Sequence, residues 1–372
     1  MSDIITLHKN KFGVKNSDRI IYGIDLFCGV GGLTHGLIEG GIRVIAGVDL
    51  DPQCRFPYET NNHSLFIERD IRKLSGTELS KLFGNAKLRL LAGCAPCQPF
   101  STYSQKNRQI RDDKSQIRDD KQWDLVADFG RLVREIQPEF VTMENVPQLL
   151  EHQVFQNFLE DLKGYEIWYK IIQCADYGVP QTRKRLVLIA SRLGLIELLP
   201  PHESTHDYAT GHATVRQAIF NLPKLEAGGS DPKDPIHTAS SLSELNLRRI
   251  KASHPGGTWR DWDESLRAPC HRRNSGQTYP SVYGRMEWDA PAPTITTQCF
   301  GYGNGRFGHP EQNRAISLRE AAILQTFPEN YRFLEPGEKA RFHKLGRLIG
   351  NAVPVRIGKV VAQSFLSSVE YK

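Results

Sequence analysis

The residues best equipped for chemistry lie in the run Gly93-Cys94-Ala95-Pro96-Cys97-Gln98-Pro99-Phe100-Ser101. Cys97 stands behind a proline and ahead of Gln-Pro, just after the apolar run Leu88-Arg89-Leu90-Leu91-Ala92. That pattern predicts a buried strand ending in a stiff, exposed turn that presents a thiol. A thiolate is a strong nucleophile and a good leaving group, which suits a reaction through a transient covalent bond. The spacing Cys94-x-x-Cys97 also fits a redox pair or half of a zinc site. Cys28, Cys54, Cys174, Cys270 and Cys299 are scattered, with no second C-x-x-C and no C-x-x-H, so no metal is expected. A redox pair usually opens a helix, whereas Pro99 follows Cys97 within two residues. On spacing alone, nucleophile, redox pair and buried thiol all stay open.

The elements that must position this turn read as a nucleotide-cofactor sheet. Ile20 to Phe27 is a strand signal, Cys28-Gly29-Val30-Gly31-Gly32 a turn, and Leu33 to Glu39 has helical spacing. A glycine-rich turn between strand and helix lets a ligand approach the backbone at the positive end of the helix. A second strand, Arg43 to Val48, ends in Asp49, 20 residues after Gly29. That is about where a carboxylate meets the ribose hydroxyls of a bound nucleotide. Asp70-Ile71 is a third such end, the Pro96-Cys97 turn a fourth, and Glu139 to Met143 runs into Glu144-Asn145-Val146 as a fifth. Polar groups at successive strand ends describe a doubly wound parallel sheet with its site along the carboxyl edge. The glycine turn alone does not separate dinucleotide from S-adenosylmethionine folds.

The bulk properties set wide limits. At 372 residues the chain is long enough for two domains. With 39% hydrophobic and 24% charged residues it has an ordinary globular composition. No apolar run approaches a membrane span, and residues 1–18 do not read as a signal peptide. Seven cysteines without a regular framework predict free thiols in a reducing compartment, here the cytoplasm. A net charge of +6 permits a nucleic-acid partner without requiring one.

Taken in order, the motifs resemble the DNA cytosine-5 methyltransferases of bacterial restriction–modification systems. The blocks are Asp25-Leu26-Phe27-Cys28-Gly29-Val30-Gly31-Gly32, Pro96-Cys97-Gln98-Pro99-Phe100-Ser101, Glu144-Asn145-Val146 and Gln181-Thr182-Arg183-Lys184-Arg185. Arg319-Glu320-Ala321-Ala322 with Gln325-Thr326-Phe327-Pro328, and Gly350-Asn351-Ala352-Val353-Pro354, complete the series. Cys28 stands where the family more often has Ala or Ser and reads as a packing residue. The resemblance implies an S-adenosylmethionine-dependent Rossmann-like fold with a smaller, irregular target-recognition domain. The catalytic domain would be 1–199 completed by 340–372, and the recognition domain 200–339.

Cytosine C5 is too weak a nucleophile to take a methyl group from S-adenosylmethionine unaided. The resemblance makes Cys97 the thiolate that attacks C6, and Glu144 the acid at N3. It makes Arg183 and Arg185, two residues apart and expected on one strand face, the groups that orient the carboxylate and the nucleotide. For the cofactor it implies Phe27 against adenine, and Gly29, Gly31 and Gly32 beside the methionine moiety. Asp49 would hold the ribose, Asp70 and Ile71 would read the adenine, Pro96 would line the wall, and Asn351 and Val353 would close the pocket. The last helix, about 354–368, should then pack on the first domain. A cytosine inside a duplex must be swung out to be reached.

Residues expected to meet duplex DNA are Gln98, Ser101, Gln181, Thr294 and Ile295, with Arg248, Arg260, Arg272 and Arg273 from the recognition region. Between 246 and 273 there are seven positive charges (Arg249, Lys251 and Arg267 are the others) against Asp261, Asp263 and Glu264. Trp259, Trp262 and His271 interleave, which suits phosphate contact and groove insertion. The run Phe300 to Arg306 is glycine-rich as if to lie close to a DNA backbone, and Ser317-x-x-Glu320 predicts a helix capping box. After Cys97 the chain repeats itself, Gln109 to Ser115 followed by Gln116 to Gln122, bringing Arg111 and Arg118 into a loop that could reach phosphates. A small duplication tolerated in a surface loop is the simpler explanation of the repeat.

The expected protein is therefore a monomer on DNA, associated with the nucleoid, with a cognate restriction endonuclease as a partner by family habit. A transfer-RNA methyltransferase on the same fold is the nearest rival. A dinucleotide oxidoreductase would need both Cys94 and Cys97, whereas methyl transfer needs only Cys97. A non-catalytic DNA-binding relative would not be expected to keep Cys97, Glu144, Arg183 and Arg185 together.

Overall fold

A computed structural model describes residues 19–96, 116–201, 211–273, 276 and 279–370. The first strand, β1 (Ile21–Leu26), is almost wholly buried and leads through the glycine turn into helix α1 (Gly32–Glu39). Then follow β2 (Arg43–Asp49), α2 (Arg55–Asn62), β3 (Leu65–Glu68), α3 (Gly76–Phe83) and β4 (Leu88–Gly93). The long helix α4 (Gln116–Ile136) precedes β5 (Phe140–Asn145), which is buried at every position. Helix α5 (Gln153–Asp161), β6 (Glu166–Gln173), the short β7 (Gln181–Thr182) and β8 (Lys184–Ser191) complete this half.

The seven strands lie in the order β3-β2-β1-β4-β5-β8-β6. The β1–β2, β1–β4, β2–β3 and β4–β5 pairs are parallel, as the alternation of strands and helices predicts. Strand β8 runs antiparallel between β5 and β6, so the sheet is mixed rather than wholly parallel. The strand order turns back on either side of β1 and β4, and such a switch opens a crevice at the carboxyl ends. The turns after β1, β2, β4 and β5 all open onto that edge.

The remaining elements are α6 (Val215–Ile219), β9 (Ser230–Asp231), β10 (Asp234–Thr238), α7 (Glu244–Ala252), β11 (Ala292–Pro293), α8 (Leu318–Leu324), α9 (Phe342–Asn351) and α10 (Val355–Glu370). Helix α10 and the residues just before it return to β1 and α1, placing Val353, Ile357, Val361 and Phe365 in one apolar cluster with Ile21, Leu33 and Leu37. Glycines on α1 and at its C-cap let the two backbones meet. A Cβ at Gly36 would overlap the Val355 carbonyl, and one at Gly40 the Ala362 side chain.

Between β8 and α9 regular structure is sparse, and buried arginines take over part of its work. Arg285 donates to the carbonyls of Ile250, Ser253, His309 and Gln312. Arg314, wholly buried, donates to the Leu225 and Ala315 carbonyls and makes a two-pronged pair with Glu320 at 2.7 Å on each prong. Glu320 also accepts from the Ser317 amide, which closes the expected capping box at the start of α8. Carbonyls that a strand ladder would satisfy elsewhere are satisfied here by guanidinium groups.

Candidate active site

The end of β5 and the start of the turn after β4 are locked together. The Cys94 amide donates to the Leu26 carbonyl at 3.3 Å, continuing the β1–β4 pairing by one residue. The Asn145 side chain donates to the Ala95 carbonyl at 3.2 Å and accepts from the Val146 amide at 2.8 Å. Residues 94–96, which lead to Cys97, are thus fixed on both sides, and Pro96 is exposed at the rim. Cys97, Gln98, Ser101 and Arg111 lie outside the described residues, as does the side chain of Arg118. The Arg118 backbone belongs to α4 and not to the expected loop: the second copy of the repeat forms the first turns of that helix.

Glu144 projects from β5 into this corner and is 5% exposed. The Cys94 thiol donates to its Oε2 at 2.8 Å, and the Arg185 Nε lies 2.8 Å from its Oε1. The Arg185 contact has ion-pair distance without hydrogen-bond alignment, so Oε1 accepts no aligned bond from the described residues. A carboxylate held in this way points one oxygen at a fixed position while keeping acceptor capacity.

Arg183 does not share this partner. Strand β7 ends at Thr182 and β8 begins at Lys184, so Arg183 falls between them instead of alternating with Arg185 on one face. Its buried guanidinium donates to the carbonyls of Ile295 at 2.9 Å and Gly350 at 3.3 Å. Burial, reinforced by the charge of Arg185, pushes its pKa down to about 9, which leaves it charged at neutral pH. The expected pair of arginines is split: Arg185 holds the carboxylate, and Arg183 ties the β11 end to the chain just before Asn351 and Val353.

The other corner surrounds the glycine turn. Asp49 accepts from the Gly29 amide at 2.8 Å through Oδ2 and from the Asp51 amide at 2.9 Å through Oδ1. Burial raises its pKa, against the lowering effect of those amides. Phe27, Gly29 and Gly31 have positive φ angles of 60°, 51° and 92°. Of Gly29, Gly31 and Gly32, Gly29 alone has open space for an added Cβ. At Gly31 it would strike Asn62, and at Gly32 the Val353 carbonyl, so these two glycines make room for the chain's own packing. Leu50, next to Asp49, is 61% exposed, an apolar surface at a polar rim that the sequence reading passed over. An isolated leucine between two aspartates is its only signal.

Asp70 sits beyond β3, caps a short 3-10 turn and is paired in two-pronged fashion with Arg72, while Ile71 is buried. The Arg72 bonds, chiefly, hold the Asp70 carboxyl below its ordinary range. Asn351 is exposed and Val353 buried against α1. Asp25 was also missed, although an acid inside an apolar strand is a readable signal. It is 1% exposed, accepts from the Thr34 hydroxyl at 2.6 Å, and leaves Oδ1 buried without a hydrogen-bond partner among the described residues. Burial, with the Asp49 charge adding to it against the Thr34 bond, pushes its pKa up to about 7.

The residues expected at DNA fall into two groups. Arg248, Arg260, Arg272 and Arg273 are exposed, and Thr294 is half-buried, donating to the Thr182 carbonyl. Gln181 and Ile295 are fully buried; Gln181 bonds the Leu324 carbonyl, Gln325 and the Ile295 amide. Trp259, Trp262 and His271 do not project for groove insertion. The tryptophans are each 3% exposed, His271 stacks on Trp259 at 4.2 Å, and Arg249 lies over Trp262 and Tyr283. Aromatics supply an apolar core where aliphatic runs are missing. The glycines of 300–306 likewise make room within the chain: a Cβ at Gly303 would press on Tyr283, and one at Gly305 on Phe307. Among the described residues no group of three His, Cys, Asp or Glu side chains could hold a metal ion.

The strand order, the glycine turn and the acid at the end of β2 define the Rossmann-like fold of S-adenosylmethionine-dependent methyltransferases. A crystal structure of a DNA modification methyltransferase encoded within an E. coli prophage superimposes with a TM-score of 0.69 at 22% identity, covering 95% of this chain and 100% of that one. Residues 21–367 match the family of C-5 cytosine-specific DNA methylases. The chain is 51% identical to the type II methylase M.HgiDII of Herpetosiphon aurantiacus, over 93% of this chain and 95% of that protein. It is 32% identical to the type II methyltransferase M1.HphI of Haemophilus parahaemolyticus, over 92% and 86% respectively. The chain belongs to the C-5 cytosine-specific DNA methylases and is a DNA (cytosine-5) methyltransferase. No described helix is long and apolar enough to cross a membrane.

Proposed function

We propose that this enzyme uses S-adenosylmethionine to methylate one cytosine within a specific duplex sequence, through a covalent bond between Cys97 and C6 of a flipped-out base. The observation that carries the reading is the buried Glu144 carboxylate, aligned by Arg185 beside the pinned turn that leads to Cys97. Attack of the Cys97 thiolate forms the S–C6 bond and pushes the electrons of the C5–C6 double bond into the ring. Glu144 supplies a proton or hydrogen bond at N3, so negative charge does not accumulate there. The enamine so formed has a nucleophilic C5. C5 would take the methyl carbon as that carbon's bond to the sulfonium sulfur breaks. Loss of the C5 proton to solvent then restores the C5–C6 double bond and expels the Cys97 thiolate, and the proton at N3 returns to Glu144.

The open space at Gly29, the Asp49 carboxylate and the exposed Leu50 fit a nucleoside-bearing cofactor. Phe27, Gly29, Asp49, Asp70, Ile71, Pro96, Asn351 and Val353 would surround it. S-adenosylmethionine supplies the methyl group as an electrophilic carbon on a sulfonium. Gly31 and Gly32 contribute by letting Tyr58, Asn62 and the Val353 carbonyl close behind the turn.

The target base reaches the site by base flipping, because no fixed thiol can enter a stacked duplex. Residues 200–339 form the target-recognition domain, and 1–199 with 340–372 the catalytic one. The exposed arginines Arg248, Arg260, Arg272 and Arg273 meet phosphates, as do Gln98, Ser101, Arg111 and Arg118. Thr294 lies at the edge of that surface, whereas Gln181 and Ile295 act from behind it. The likeness to type II methylases supports a modification role beside a cognate endonuclease. The enzyme acts in the cytoplasm, as a monomer on DNA.

The test is incubation with tritiated S-adenosylmethionine and unmethylated genomic DNA, beside a Cys97→Ser variant and transfer RNA, followed by bisulfite mapping. Label at one cytosine of a short recurring motif, lost in the variant, is expected. Label on RNA alone would overturn the reading of the substrate, and equal label in the variant would overturn the role of Cys97.

A further inference from the structure

We propose that Cys94 is a positioning residue for the catalytic carboxylate: its thiol donor and Arg185 hold opposite oxygens of Glu144, so that the side chain meets the base in one orientation. This rests on the proposed role of Glu144. Three observations carry it. The thiol donates to Oε2 at 2.8 Å while Arg185 lies at Oε1 at the same distance, so each oxygen has its own neighbour. The donor is itself immobilised, since the Cys94 amide is bonded to Leu26 and the next carbonyl, of Ala95, to Asn145. Glu144 is 5% exposed, so water cannot readily substitute for a missing partner.

The chemistry of the contact is specific. An arginine alone fixes one end of a carboxylate and leaves it free to swing about its last torsion, which has broad minima. A second donor on the other oxygen removes that freedom, and about a rotamer's misplacement is enough to cost a reaction heavily. The thiol is a weak donor and holds no charge in this role. It therefore fixes direction without competing with Arg185 for the carboxylate's charge. The C-x-x-C spacing that looks like a redox pair acquires a different meaning: Cys97 forms the covalent bond, and Cys94 aligns the acid three residues earlier.

The test is a double-mutant cycle on the full chain, using a duplex that carries the site found by bisulfite mapping. Cys94→Ala is expected to lower kcat roughly tenfold, with KM for DNA and for S-adenosylmethionine within about twofold of wild type. Cys94→Ser, which keeps a hydroxyl donor, should recover most of that loss. In a Glu144→Gln background, Cys94→Ala should cost less than about twofold more, because a residue that acts through Glu144 has nothing left to align. A kcat unchanged in Cys94→Ala, a serine variant no better than alanine, or full additivity with Glu144→Gln would each overturn the proposal. If Cys94→Ala does not fold, the serine variant decides: near-wild-type kcat supports the donor role, and an alanine-like tenfold loss overturns it. Absence of DNA methylation by the wild-type protein would instead overturn the reading of the site on which the proposal stands.

Discussion

The carboxyl edge of the sheet and the irregular region between β8 and α9 use the same side chains in opposite ways. At the sheet edge the hydrogen bonds of the strands already satisfy the backbone, and aliphatic residues fill the core. Polar side chains there are not taken up by the ladder: Glu144 with Arg185, Asp49 on the glycine turn, Asn145 on the turn after β4. In the irregular region short strands satisfy few carbonyls, so Arg249, Arg285 and Arg314 are drawn inward to cap them. The difference teaches that a buried arginine marks a site only where regular structure has made it unnecessary for the backbone. Arg183 and Arg185 show both uses within three residues.

The largest effect should come from the sheet edge. Glu144→Gln keeps the shape of the side chain but cannot deliver a proton, and kcat should fall by about 10²–10⁴-fold with the fold intact. Single-turnover methylation and a thermal melt measure both parts; a loss of Tm matching the loss of rate would erase the contrast between the regions. The matching change in the irregular region is Arg314→Met, which removes the two-pronged guanidinium partner of the buried Glu320. It should cost about 3–5 kcal/mol of stability in denaturant unfolding, appearing as loss of fold before loss of chemistry.

A smaller effect concerns Asp25. Its folded pKa, about 7, lies above the value of 3.8 for an unperturbed aspartate. The folded state therefore binds the proton more tightly, and Asp25's contribution is fully present below about pH 4 and lost as pH rises toward 7. Asp25→Asn should flatten that part of the stability profile; Tm measured between pH 5 and pH 8 checks it, and an identical slope in wild type and variant would reject it. The smallest single effects are expected at the exposed arginines. Arg248→Ala or Arg273→Ala should weaken DNA binding modestly and reduce the salt slope by about 1, with Tm unchanged. A change in Tm without a change in the salt slope would move that residue into the structural group.

What the sequence made legible follows the same division. Strand and helix periodicity, the glycine turn, Asp49 and Glu144 could be read because a parallel sheet places its polar residues by chain order alone. The return of α10 to α1 was legible from the Asn351 and Val353 motif. The antiparallel insertion of β8 was not, since strand direction leaves no trace in alternation. Nor was the burial of Trp259, Trp262 and His271 legible, because an aromatic and basic composition describes a DNA surface and an arginine-capped core alike. Gly31 and Gly32 illustrate a third limit: a motif glycine can face a ligand or a neighbouring helix, and only the fold decides.

The most direct test of the central claim is covalent trapping on a duplex with 5-fluorocytosine at the mapped position, in the presence of S-adenosylmethionine. Fluorine cannot leave as a proton does, so a bond through Cys97 should persist. The account predicts a stoichiometric protein–DNA adduct by mass spectrometry, with peptide mapping to Cys97 and no adduct in Cys97→Ser. Normal methylation of the unsubstituted duplex without any trapped adduct, or an adduct mapping to Cys94, would contradict it.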